Sequence, residues 1–145
     1  MILRFEKDHR YLSNFYPSMF QVETGHRFAT VEHFYQAMKT SSEEWFKQIM
    51  WAKSPGEAKK LGKQCPMVEN WEQVKDSMML TGLKHKFQQN KNLKEKLIST
   101  GTDVIIEGNT WGDSYWGYDL KLGYGQNRLG QLLMIVRLWA KEGKI

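Results

Sequence analysis

The spacing of apolar residues changes at Thr30, and this change constrains the fold class more than any other feature. Before Thr30, short apolar runs at 2–5, 20–22 and 27–28 alternate with turn residues, a pattern typical of short strands. After it, apolar residues recur at the i, i+3, i+4 and i+7 spacing of a helix, with Thr30 as the N-cap. That stripe consists of Val31, Phe34, Tyr35 and Met38. We therefore expect short strands followed by a helix that packs on them.

Later helix starts carry capping boxes, in which a polar N-cap is followed three residues later by Glu. The boxes are Ser41–Glu44, Ser54–Glu57 and Asn92–Glu95. A further helix is predicted to start at the cap Asn70, and Gly82 is expected to interrupt it because glycine weakens a helix interior.

The C-terminal third predicts a strand over 104–107 and a final helix capped by Asn127. The inward-facing residues expected in that helix are Leu129, Leu132, Leu133, Val136 and Trp139. Taken together, the segments predict an α+β fold, mostly helical, with a small sheet.

Length and composition predict one globular domain spanning 1–145, with 41% hydrophobic and 26% charged residues. Charged residues follow closely on Met1, and no segment approaches the roughly 18 apolar residues of a membrane span, so a cytoplasmic protein is expected. A lone cysteine, Cys65, excludes an internal disulfide and a cysteine-based metal site. The four histidines lack metal-ligand spacing, so neither a metal nor a cofactor is expected.

The net charge of +5 comes largely from lysines, many of them within 84–96. Such a run can steer a phosphorylated substrate or nucleic acid towards a protein. Lysines interleaved with apolar residues are also typical of a solvated helix face, and this interpretation is favoured here.

Two segments near the C-terminus, Glu107–Gly117 and Gly123–Gly130, combine Gly, aromatic and short polar residues. Aromatic planes and glycines that allow close backbone approach suit a pocket for a flat, polar ligand with phosphates, such as a nucleotide. The aromatic residues can instead fill a core, and the glycines can simply form a turn before the last helix.

Glu32 is the carboxylate of greatest interest, because Thr30 as N-cap puts it in the first turn of its helix. Gln36, four residues on, is expected on the same side. The helix dipole stabilises a charged carboxylate there, which suits a general base or a cation stabiliser. The alternative is that Glu32 only decorates the first turn, as acidic residues commonly do.

Several motifs, taken in order along nearly the whole chain, closely resemble the NADAR family, also called YbiA-like. They are Tyr11–Pro17, Thr30–Lys39, Ser54–Gly62, Trp71–Met78, Lys86–Phe87 and Glu107–Arg137. The resemblance implies the compact α+β YbiA-like fold and N-glycosidase activity. Family members act on phosphorylated ribosylaminopyrimidine intermediates of riboflavin synthesis or remove ADP-ribose from guanine bases of nucleic acid.

The resemblance also implies site residues. They are Asn14 and Phe15 of SNF, Glu32 and Gln36 of VEHxxQA, Lys75 of WxxxK, Trp116 and Gly117 of WG, and Asn127 of NxLG. In this interpretation Glu32 is the main catalytic carboxylate, and Asp113 or Asn14 assists the leaving base. Lys75, Arg4 or Arg128 holds phosphate, and Trp116 stacks on the ring. The expected partner is thus a phosphorylated nucleotide or ADP-ribosylated nucleic acid, and the alternative function is a non-catalytic ADP-ribose or nucleotide-binding module.

Overall fold

A computed structural model describes all 145 residues, which form two compact units. One unit is Asn14–Asn90, and the other combines Met1–Ser13 with Lys91–Ile145. The α+β class with predominant helix is confirmed, although the strands are very short. The single domain over 1–145 stays a prediction, because each unit is compact by itself.

The Asn14–Asn90 unit begins with an antiparallel hairpin, β1 (Phe20–Gln21) and β2 (Arg27–Phe28), in which Phe20 pairs with Phe28. Both phenylalanines are buried and pack on Phe34, with ring centroids 5.8 and 5.3 Å from it. The expected packing of the first helix on the short strands is confirmed.

That helix, α1 (Val31–Ala37), lies at the centre of its unit and contacts each of the next three helices. Thr30 is its N-cap as predicted, since its Oγ1 accepts a hydrogen bond from His33 N at 3.1 Å. All seven residues of α1 are buried, whereas the sequence predicts only a stripe. Its polar side chains therefore need partners inside the protein.

The next helices are α2 (Glu43–Met50) and α3 (Pro55–Gln64). The predicted cap of α2 is wrong by one residue, because Ser42 rather than Ser41 accepts the hydrogen bond from Trp45 N. The cap of α3 is confirmed, with Ser54 Oγ accepting from Glu57 N at 3.1 Å.

Helix α4 (Trp71–Gln89) follows without a break, so the predicted interruption at Gly82 is wrong. A Cβ at Gly82 would lie 2.9 Å from a ring carbon of Phe34. The glycine therefore serves close packing of α4 on α1 instead of ending the helix. Asn70 occupies the N-cap position, but its side chain makes no capping hydrogen bond.

The other unit contains a 3₁₀ helix (Lys7–Leu12), α5 (Lys91–Ser99), parallel strands β3 (Gly108–Asn109) and β4 (Tyr118–Asp119), and α6 (Arg128–Lys141). Asn92 lies inside α5, so its predicted capping role is wrong. The predicted strand at 104–107 is reduced to one bridge, between Ile105 and Ile2. No helix of either unit combines the length and hydropathy that crossing a membrane requires.

Helix α6 buries Leu129, Leu132, Leu133 and Val136 as predicted, whereas Trp139 is only partly buried. The sequence pattern misses Arg137, which is buried on the same helix. Its Nη1 donates to the Asp103 carbonyl at 2.8 Å and to Thr100 Oγ1 at 2.9 Å, so its charge has polar partners.

Candidate active site

Glu32 and Gln36 form a buried pair on α1, with 8% and 3% of their surfaces exposed. Gln36 Nε2 donates a hydrogen bond to Glu32 Oε2 at 3.2 Å, which confirms that the two side chains lie on the same side. A buried carboxylate is rare and is costly unless it is hydrogen-bonded. Glu32 is therefore not an exposed side chain of the first turn, and its catalytic role stays a prediction.

Gly62 on α3 sets the position of the Gln36 amide. A Cβ at Gly62 would collide with Oε1 and Cδ of Gln36, so only glycine leaves room for this side chain. Oε1 of Gln36 is buried and has no hydrogen-bond partner, which leaves Nε2 as the end that bonds Glu32. The close approach of α3 thus fixes Gln36, and through it the carboxylate.

The backbones of Asn14 and Glu32 are hydrogen-bonded to each other, since the Asn14 carbonyl accepts from Glu32 N at 3.1 Å. The Asn14 side chain is 9% exposed, and Nδ2 contacts only the weak acceptor Met79 Sδ, at 3.4 Å. Oδ1 is buried and has no partner. Because buried polar atoms are almost always hydrogen-bonded, this oxygen marks a place where a ligand donor group or a water belongs.

His33 holds α1 in place rather than offering a free imidazole. Its Nε2 lies 3.0 Å from the carbonyl of Ala52, to which it donates, and its Nδ1 is hydrogen-bonded to Thr30 Oγ1 at 2.8 Å. Both ring nitrogens are occupied by structural bonds that flank Glu32.

The remaining predicted residues of this unit are placed differently. Lys75 forms an ion pair with Glu72 at 2.6 Å, and Phe15 is 42% exposed. Glu32, Gln36 and Asn14 are therefore the predicted residues that the Asn14–Asn90 unit brings together. The roles predicted for Lys75 and Phe15 stay predictions.

Asp113, in the other unit, organises a turn. Its Oδ1 accepts the backbone N–H groups of Tyr115 at 3.1 Å and Trp116 at 2.9 Å. Asn109 completes the turn, because its amide bonds both the N–H and the carbonyl of Asp113. The turn also sets the Trp116 ring edge-on to Tyr115, with centroids 5.0 Å apart. The proton-donor role predicted for Asp113 stays a prediction.

Asn127 occupies the N-cap position of α6 as predicted, but its side chain makes no capping hydrogen bond and clamps the chain instead. Its backbone has φ of 51°, in the left-handed region that asparagine tolerates. Its Oδ1 accepts Glu107 N and its Nδ2 donates to the Ile105 carbonyl, both at 2.9 Å. Its neighbour Arg128 donates from Nη1 to Gln131 Oε1 at 3.0 Å.

Sequence reasoning misses Glu107 as a positioned carboxylate. Its Oε2 accepts from Asn109 Nδ2 at 3.1 Å, and a Cβ at Gly117 would collide with that same oxygen. The glycine of the WG motif therefore makes room for Glu107. The sequence predicts Glu107 only as the last residue of a strand over 104–107, so its role as a positioned carboxylate has no sequence signal.

Lys86 on α4 is a second residue that sequence reasoning misses. It is fully buried, with Nζ 5.1 Å from the centroid of the Phe87 ring. Burial lowers its pKa to about 7, because the charged form is poorly solvated there. A lysine within an apparently solvated run gives no local signal of burial.

Comparisons with known proteins agree with this architecture. Residues 3–139 match the family model of the NADAR domain. A curated Escherichia coli K12 protein, N-glycosidase YbiA, is 37% identical over 132 residues, which are 90% of this chain and 81% of the relative. A curated riboflavin biosynthesis protein of Vibrio vulnificus is 31% identical over 91% of this chain and 36% of that longer protein. The NMR structure of Escherichia coli YbiA matches with a TM-score of 0.88 and 34% identity, covering 99% of this chain and 87% of that one. The predicted YbiA-like fold is confirmed.

The contact between Gly62 and Gln36 predicts an unusual response to alanine. Alanine in a helix interior normally stabilises by about 1 kcal/mol relative to glycine. We expect Gly62→Ala instead to lower the free energy of unfolding by about 1–3 kcal/mol, because the methyl group overpacks the amide. Urea unfolding followed by circular dichroism measures the change.

Two controls accompany this measurement. Gly56→Ala in the same helix places its Cβ 3.8 Å from Ser54 Oγ, an ordinary contact, and should not destabilise the protein. In a Gln36→Ala background, Gly62→Ala should lose most of its penalty. An equal penalty in both backgrounds would rule out the collision with Gln36.

Burial of Lys86 predicts a pH-dependent effect of Lys86→Met. Between about pH 7 and 10.5 the unfolded chain holds a proton on this lysine that the folded chain lacks, so wild-type stability gains from rising pH. The stability of the Met variant relative to wild type should fall by about 1.4 kcal/mol per pH unit across that window. Denaturant unfolding of both proteins at pH 7.5 and 9.5 measures this, and a difference independent of pH would refute the shift.

Proposed function

The chain belongs to the NADAR family, and from that premise we propose that it hydrolyses the bond between base and ribose in a phosphorylated or ADP-ribosylated nucleoside. Its curated relatives at 37% identity over 90% of the chain are named N-glycosidases, and the chain shares that enzyme class. What we propose is the identity of the substrate and of the catalytic residues.

The observation that carries the proposal is the buried, hydrogen-bonded carboxylate of Glu32, in a unit that also holds an amide oxygen without a partner, Asn14 Oδ1. Glu32 is 8% exposed, and its carboxylate is oriented by Gln36. Asn14, whose Oδ1 has no partner, accepts the backbone hydrogen bond of Glu32 N through its carbonyl. A preorganised charge in a water-poor site acts far more strongly than one in water.

The chemistry needs such a charge. As the bond from C1′ to the base nitrogen breaks, positive charge develops on the ribose, giving an oxocarbenium-like transition state. Glu32 can stabilise that charge directly, or it can deprotonate the water that attacks C1′. Both roles require the carboxylate to keep a fixed orientation, which its bond to Gln36 provides.

In this proposal Asn14 supplies recognition. Its unpartnered oxygen is an acceptor, so it suits a hydroxyl of the ribose or an exocyclic amino group of the base. Discrimination by a buried polar group is strong, because a substrate that lacks the donor leaves that group unpaired.

Departure of the base requires a proton or hydrogen bonds on the leaving group. The sequence predicts Asp113 for this task, and its Oδ1 accepts two backbone N–H groups of its turn. The donor role of Asp113 is part of the proposal.

Two substrate classes fit the proposal. A phosphorylated ribosylaminopyrimidine is favoured by the similarity to a protein named for riboflavin biosynthesis. ADP-ribosylated guanine in nucleic acid is favoured by the net charge of +5, which attracts polyanions. Incubation with each substrate, followed by chromatography of the released base or ADP-ribose, separates them. Binding without any product would instead support the non-catalytic module.

Replacement of the proposed catalytic carboxylate gives the sharpest test. We expect Glu32→Gln to lower kcat by about 10²–10⁴-fold, since the amide can neither accept a proton nor balance positive charge. The rate of base release at saturating substrate measures the effect. Glu44→Gln, at an exposed glutamate in the first turn of α2, removes the same charge and should leave kcat unchanged. A folded Glu32→Gln variant with wild-type kcat would remove Glu32 from the mechanism.

A further inference from the structure

Lys39 is a half-buried lysine that follows the C-terminal end of α1. Its backbone is fixed, because its carbonyl accepts from Val68 N at 2.8 Å. Its Nζ lies 5.6 Å from the centroid of the Tyr35 ring, and that ring packs on Trp71 at 5.1 Å. The ammonium group is thus held by aromatic contacts, yet it forms no ion pair with a carboxylate.

Two more lysines, Lys59 and Lys63, lie on the neighbouring helix α3. They are four residues apart and so share one face of that helix. Gly62, next to Lys63, is the residue that abuts the Gln36 amide, so this part of α3 is packed against α1. Neither lysine forms an ion pair.

The charges of Lys59 and Lys63 act on Lys39. Desolvation lowers the pKa of Lys39, the charge of Glu32 opposes this, and Lys59 and Lys63 lower the pKa further. Cys65 also lies within this field, but burial raises the pKa of its thiol, and the thiol donates to the Gly62 carbonyl at 3.4 Å. The carboxylate whose charge acts on Lys39 is that of Glu32.

Cations that converge without matching carboxylates repel one another and lose solvation, and a bound anion reverses both effects. Lysine ammonium groups bind phosphate as point charges, without the fixed fork geometry of arginine. Along the chain, Glu32 and Gln36 lie on α1, and Lys39 follows its C-terminal end.

We propose that Lys39, Lys59 and Lys63 form the subsite for the phosphate of the substrate, with the ribose lying towards Glu32. This deepens the proposed function and rests on it. The subsite takes a terminal phosphate monoester or the diphosphate of an ADP-ribosyl group, since both present the same anionic oxygens. Lys75, predicted from the sequence for this task, has Glu72 as an ion-pair partner instead.

The test measures binding without catalysis. Isothermal titration calorimetry at low ionic strength compares ribose 5-phosphate, ADP-ribose and unphosphorylated ribose as ligands of the full chain. Wild type should bind the two phosphorylated ligands and not ribose, and the ligand bound more tightly identifies the phosphate class. Added salt should weaken binding, because the charges are partly exposed.

Matched variants locate the subsite. Lys39→Gln and Lys63→Gln should each weaken phosphate binding by about 10-fold, the usual order for one charge-assisted hydrogen bond. Lys60→Gln, an exposed lysine on the same helix, changes net charge equally and should alter binding by less than about twofold. Lys39→Arg keeps the charge and should retain binding, which separates loss of the cation from loss of folding.

Wild-type affinity in a folded Lys39→Gln variant, or equal losses in Lys39→Gln and Lys60→Gln, would overturn the subsite. Failure of wild type to bind either phosphorylated ligand would do the same. Binding that follows this pattern, without release of base from any substrate, would support the subsite and refute the hydrolase proposal.

Discussion

The complete burial of α1 is the constraint on which the proposed chemistry depends. A seven-residue helix carrying Glu32, His33 and Gln36 is enclosed in the Asn14–Asn90 unit, so each polar side chain must find an internal partner. Thr30 and Ala52 satisfy the imidazole, and Gln36 satisfies the carboxylate. The carboxylate therefore has a fixed position and little contact with water, which are the conditions for strong electrostatic stabilisation of a cation.

Close helix packing transmits this constraint to the proposed substrate contacts. Gly62 allows α3 to approach Gln36, and the same approach brings the lysines of α3 towards Lys39. The contact between Gly62 and Gln36 therefore orients the Glu32 carboxylate near the start of α1 and brings lysine side chains together near its end. A nucleotide presents the complementary arrangement, with developing positive charge at C1′ and negative charge on phosphate.

The sequence predicts the features of this site that are local. The Thr30 cap and the same-side placement of Glu32 and Gln36 follow from helical spacing alone, and the structure confirms both. The errors involve partners distant in the chain. The sequence predicts a helix break at Gly82, since the packing of this glycine against Phe34 has no local signature. It predicts a capping side chain at Asn127, since the hydrogen bonds of that side chain to residues 105 and 107 form only in the tertiary structure. Lys86 and Glu107 are missed for the same reason.

The central claim is that the Glu32 carboxylate faces the ribose carbon that loses the base. The most direct test is an experimental structure with an unreactive C-nucleoside phosphate, in which carbon replaces the glycosidic nitrogen. The account predicts a Glu32 oxygen within about 3.5 Å of C1′ or of a water positioned to attack it. A bound analogue whose C1′ is approached by another acidic side chain, with Glu32 directed away from the ligand, would contradict it.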